Sequence, residues 1–171
     1  MGLPTFPPLL QEAAEHLVDA ALVAAAVALP AKETVVKQRP KLLLINGLVL
    51  GAVASAQFVM DFAGYWYGVG PTGPTLHGNL DTIGFAEAHG LAAGFALLMI
   101  LRRNDGWAGW HLAAALVHIL LGTCNLIFWP IFEAAGLVPM GIVATAMHAV
   151  FAGLELRAYF AREGVRSVSA T

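Results

Sequence analysis

Thiols are nearly missing from this chain. Its 171 residues contain one cysteine, Cys124. A single cysteine excludes an internal disulfide, and with no CxxC or CxxCH there is neither a thiol pair for redox chemistry nor a covalent haem attachment. Charge is also scarce. Asp, Glu, Lys and Arg make up 12% of the residues, where soluble domains carry about 25%. A net charge of −2 with no basic stripe argues against a nucleic-acid partner. The opening stretch "MGLPTFPPLLQEAAEH" lacks the basic region that begins a cleaved signal peptide. HExxH is absent, and carboxylate–histidine spacing of that kind occurs only in "EAAEH", early in the chain.

What remains is apolar length. Hydrophobic residues make up 58% of the sequence, and a chain with so little polar surface calls for a bilayer as its solvent. A spanning helix needs about 20 predominantly apolar residues. Four stretches qualify: 42–69, 79–101, 107–132 and 138–160. A fifth, 9–29, is alanine-rich but carries Glu12, Glu15, His16 and Asp19 in its first half. Its length favours spanning, with those polar groups partnered inside the bundle. The expected fold is therefore an all-α membrane bundle in a single domain.

All nine basic residues fall on one side when the segments alternate. Lys32, Lys37, Arg39 and Lys41 precede the second segment, Arg102 and Arg103 follow the third, and Arg157, Arg162 and Arg166 close the last. The positive-inside rule makes that side, and the C-terminus, cytoplasmic, as in a multi-pass protein of a bacterial-type inner membrane. The loops "YGVGPTGPTLHGN" and "FEAAGLVP" carry no Lys or Arg and are expected outside. The halves also resemble each other. "EAHGLAAGFALLMILRR" aligns without gaps on "AMHAVFAGLELRAYFAR", matching His89 to His148, Gly94 to Gly153 and Arg103 to Arg162. This reads either as a weak two-helix repeat, a duplicated hairpin, or as chance similarity between alanine-rich helices.

Three histidines stand well inside these spans: His89, His118 and His148. Counted from the basic ends, each lies very roughly 15–20 Å deep. Intramembrane ionisable groups are costly and usually face a bundle interior or cavity. Imidazole is a ligand for haem iron, copper or zinc, and also a plain helix–helix hydrogen-bonding group. Haem suits the composition best. Gly90 and Ala93, with Ala92 and Gly94, follow His89 and offer a flat macrocycle close approach to the backbone, or a neighbouring helix close packing. His118 and His148 are the second candidates as ligands. His111, His118 and Asn125 are spaced by sevens and share one helix face, opposite a face of Leu, Val and Ile. His111, near the basic end, needs no special reason, and Glu155, beside Arg157, is expected to pair near the interface. Asp61 is left as a possible cavity-lining group near the outer end, and Tyr65, Trp66 and Tyr67 read as an interfacial belt.

"AEAHG" before a small-residue helix, and then "GTCNLIFWPIF" ending the next span, resemble the styrene oxide isomerases over about residues 42–160. That resemblance implies four spans with both ends cytoplasmic, a trimer, and haem b near subunit boundaries. It implies an iron that takes an epoxide oxygen, and a 1,2-hydride shift giving an aldehyde. His89 matches the haem ligand, and Asn125 matches an asparagine before the end of the following span. This chain has Phe95 where the family has an asparagine, and Trp129 where it has a tyrosine. Those departures leave the substrate open within the class of small apolar molecules. Asn125 and Trp129 are the candidate catalytic positions. The other expectations are a bis-histidine electron-transfer cytochrome and a non-enzymatic bundle that binds lipid or a small molecule.

Overall fold

The computed structural model describes residues 32–161, so the segment 9–29 and the last arginines, Arg162 and Arg166, lie outside it. The described residues form six helices and no strand: α1 (Lys32–Tyr67), α2 (Gly73–Leu76), α3 (Thr82–Arg102), α4 (Gly109–Ile127), α5 (Trp129–Ala134) and α6 (Val138–Phe160). Four of them, α1, α3, α4 and α6, are long and apolar enough to cross a membrane. The chain is an all-α bundle of the multi-pass membrane type.

Each half has the same order, a long helix, a short one and a second long one. In the first half α1 packs along α3, and in the second α4 packs along α6. His89 and His148, aligned by the internal repeat, lie on the second long helix of their respective hairpins. The hairpins are joined chiefly through α1, which contacts α6.

Two boundaries differ from the sequence pattern. The basic stretch before position 42 is helix rather than loop, because Lys32, Glu33, Lys37, Gln38 and Arg39 are competent helix formers that continue the apolar helix backwards. The resulting 36 residues extend roughly 54 Å at 1.5 Å per residue, well beyond a core about 30 Å thick, so α1 projects from the membrane. The run 107–132 is likewise not one helix. It breaks at Phe128 (φ −97°, ψ 23°), and α5 restarts with Pro130 in its first turn. A proline has no N–H to bond the preceding turn but fits the first turn of a new helix.

The distribution of polarity is inverted relative to a protein folded in water. Leu48, Val59, Leu91, Leu101, Leu116, Leu120, Ile127 and Val143 are exposed, while Asn46, Asp61, His111, His118, His148 and Glu155 are buried. The buried apolar residues are mostly small: Ala54, Ala92, Ala96, Ala114, Ala115, Ala152 and Ala158. Between hydrocarbon-facing helices, small residues permit the close backbone approach that drives packing. At Gly47 a Cβ would lie 2.7 Å from Ile100 Cγ1 and 2.9 Å from the Ala96 carbonyl, so only glycine fits where α1 meets α3.

Candidate functional site

The buried polar groups fall into two separate centres. The first joins α1 to α3. His89 Nδ1 lies 2.6 Å from Asp61 Oδ2, with side chains 30% and 4% exposed. Asp61 is six residues from the end of α1, and His89 is seven from the start of α3. By helical rise both sit roughly 10 Å from the ends of their helices that α2 connects. A carboxylate only accepts, so the imidazole donates from Nδ1–H, and this fixes the tautomer with the lone pair on Nε2. Coordinating histidines carry this same arrangement, one nitrogen held by a carboxylate and the other free for a metal.

Beside this pair an open groove of about 500 Å³ runs between α1 and α3, lined by Phe58, Phe62, Ile83, Ala86, Glu87, Gly90 and Leu91. Phe58 and Phe62 meet edge to face, with centroids 5.0 Å apart. Gly90 lies under the Phe58 ring, where a Cβ would come within 3.0 Å of it. Ala93 packs into the α1–α3 core, and a Cβ on Gly94 would meet nothing within 4 Å. The wall near the Asp61–His89 pair is therefore apolar and aromatic, and His89 itself is not among the residues that line the groove.

The second centre is a continuous hydrogen-bonded chain through the middle of the bundle. His148 Nδ1 lies 2.9 Å from His118 Nδ1, His118 Nε2 lies 2.7 Å from Asn46 Oδ1, Asn46 Nδ2 donates to Glu155 Oε1 at 2.7 Å, and His111 Nδ1 lies 2.5 Å from Glu155 Oε2. The donors can be assigned from one end. The Asn46 carbonyl oxygen accepts, so His118 donates from Nε2 and accepts at Nδ1, and His148 therefore donates from Nδ1. The Glu155 carboxylate accepts from both Asn46 and His111. Below it, Arg39 Nε donates to the Ala158 carbonyl at 2.9 Å, and its terminal nitrogen reaches the carbonyls of Ala158 and Tyr159.

The three midspan histidines divide between the two centres: two face each other, and His89 stands apart with Asp61. Among the described residues no three His, Cys, Asp or Glu side chains come together as a metal-holding group. Both ring nitrogens of His118 are engaged within the bundle, whereas His148 engages Nδ1. Glu155 is fully buried and tied to Asn46 and His111, five residues before the end of α6. His111 is buried too, because Glu155 holds it there.

Asn125 is half-buried, two turns beyond His118 on α4. Trp129 is buried at the start of α5, its ring 5.6 Å from that of Phe132, with its Nε1 hydrogen unpartnered. Both belong to the second hairpin, and no hydrogen bond or ring contact among the described residues links them to His89. Asn46, Asp61 and Arg39 were the partners that sequence pattern left unassigned. A signal was present: each is a polar side chain in or beside an apolar run, and such groups in a membrane have partners. No known family model, curated protein or solved structure matches this chain.

Proposed function

We propose that this chain is a haem-b-binding membrane isomerase that converts a small aryl epoxide to a carbonyl compound, with His89 as the iron ligand. The observation that carries the reading is the Asp61–His89 pair, 2.6 Å apart in the outer part of the first hairpin. It supplies what the resemblance to the styrene oxide isomerases does not, a reason in this chain for that imidazole to be a ligand. When bound, haem supplies a Lewis-acidic iron that polarises a C–O bond without a proton donor.

The chain's own residues do the rest. Asp61 holds His89 in the tautomer that leaves Nε2 free and strengthens it as a donor. Phe58 and Phe62 give an apolar aryl group a matching wall and keep out water, which would otherwise open the epoxide to a diol. The groove opens to the side of the bundle, so an apolar substrate enters from the lipid. Asn125, half-buried in the other hairpin, acts from a neighbouring copy, while Trp129 is buried in its own chain and supports the end of that hairpin. The trimer implied by the resemblance provides that neighbour.

The test is to incubate membranes containing the protein with styrene oxide and no added nicotinamide or flavin. Conversion to the aldehyde is expected. No conversion above empty membranes, or diol alone, overturns the reading.

The same proposal places the basic end and the C-terminus in the cytoplasm, in a bacterial-type inner membrane. The loop between α1 and α3 then lies outside. Gly73, at the centre of that loop, is a poor labelling position because a Cβ there would lie 2.5 Å from the Gly68 backbone. Thr75 is exposed. With Cys124 replaced by alanine, Thr75→Cys should react with a membrane-impermeant thiol reagent in intact spheroplasts. Reaction only after lysis reverses the orientation.

A further inference from the structure

A second cavity, of about 150 Å³, lies at the basic end of the bundle, where the projecting part of α1 meets the turn between α3 and α4. Arg39, Arg102 and Arg103 line it together with Asp105, Trp107 and His111. Among the described residues that line it, three are arginines and one is a carboxylate: Asp105 Oδ1 accepts from the Trp107 amide at 2.9 Å, and Oδ2 accepts from Trp110 Nε1 at 2.5 Å. Arg39 is buried and held in place by main-chain carbonyls of α6, while Arg102 is exposed at the mouth. Arg103 is fixed by the Ile100 carbonyl at 2.7 Å. The remaining wall is apolar, formed by Val36, Pro40 and Leu43 on α1. Trp107, 60% exposed, stands at the entrance as an interfacial aromatic.

Guanidinium groups match phosphate oxygens in shape and hydrogen bonding. An arginine-lined hollow that continues into an apolar wall at the end of a spanning helix fits a headgroup whose acyl chains lie along that helix. We propose that this pocket binds the phosphate group of an anionic lipid, with Arg39 at its floor and Arg102 and Arg103 at its mouth. The apolar α1 wall and the position at the membrane surface favour a lipid as the source over free phosphate.

The test uses the full chain in detergent, delipidated, then titrated with phosphatidylglycerol or phosphatidylcholine and followed by native mass spectrometry. The wild-type protein should retain one phosphatidylglycerol per chain where phosphatidylcholine is lost. The double variant Arg102→Gln/Arg103→Gln changes only the mouth and should retain the fold. Its affinity for phosphatidylglycerol should fall roughly thirtyfold, the loss expected of two charges near a headgroup. Inorganic phosphate at millimolar concentration separates the sources. Persistence of the lipid supports a lipid site, and displacement supports a site for the phosphate group from either source. Equal retention of the two lipids, or unchanged affinity in the double variant, overturns the proposal.

Discussion

His89→Ala purified in detergent is expected to be folded and free of haem. The wild-type protein should carry about one haem per chain, His118→Ala and His148→Ala should keep haem if they fold, and only His89→Ala should lose it outright. The reason is the division of hydrogen bonds. His118 uses both of its nitrogens, and His148, buried in the second centre, commits its Nδ1 to a neutral imidazole rather than to a carboxylate. His89 commits one nitrogen to Asp61 and leaves the other for iron. Asp61→Asn refines the test. An asparagine preserves size and can still accept from Nδ1–H, but it removes the charge that makes the imidazole a stronger donor. Loss of such a partner typically costs 10–100-fold in metal affinity. Haem content should therefore fall partially in Asp61→Asn and completely in His89→Ala. Full haem in His89→Ala, alongside loss in His148→Ala, would move the ligand to the second hairpin.

The largest effect on stability is expected from Glu155→Ala. Glu155 accepts from both Asn46 and His111, and it has no exposed surface. Its removal strands two buried donors at once, and breaking a buried pair by removing one partner costs about 3–5 kcal/mol. Inter-helical hydrogen bonds within membranes have often measured nearer 1 kcal/mol each, so a figure in the lower part of that range is expected. Glu155→Gln should be much milder. Its carbonyl can serve Asn46, and its amide can donate to His111 once that ring moves its proton to Nε2. Thermal unfolding in detergent reads the difference. Equal melting temperatures for Ala and Gln would mean that the hydrogen bonds do not hold α4, α6 and α1 together.

Much of the architecture was legible in the sequence because apolar length alone specifies a spanning helix. The pairing of the long helices into two hairpins follows from the short connections between them. The partners were less legible. Asp61 and His89 are 28 positions apart in sequence, and Asn46 and Glu155 are 109 apart. Helical periodicity gives the face of each residue on its own helix but not the rotation of one helix against another, which is set by contacts such as Gly47 against Ala96 and Ile100. Depth counting placed the three histidines in one layer because it measures distance along an axis and ignores which hairpin carries each. The partners of Glu155 were illegible for a related reason: Asn46 and His111, which keep it buried, are supplied by two other helices. The break at Phe128 was foreshadowed by Pro130, whose place in the first turn of a new helix only the backbone makes visible.

The visible absorption spectrum of the purified wild-type protein, expressed with ample haem supply, tests the central claim most directly. The expected result is a Soret band at about one haem per chain that shifts when an epoxide or another oxygen-donor ligand is added, because His89 would be the one protein ligand to the iron. A colourless protein, or a haem spectrum that is insensitive to every added ligand, would contradict it.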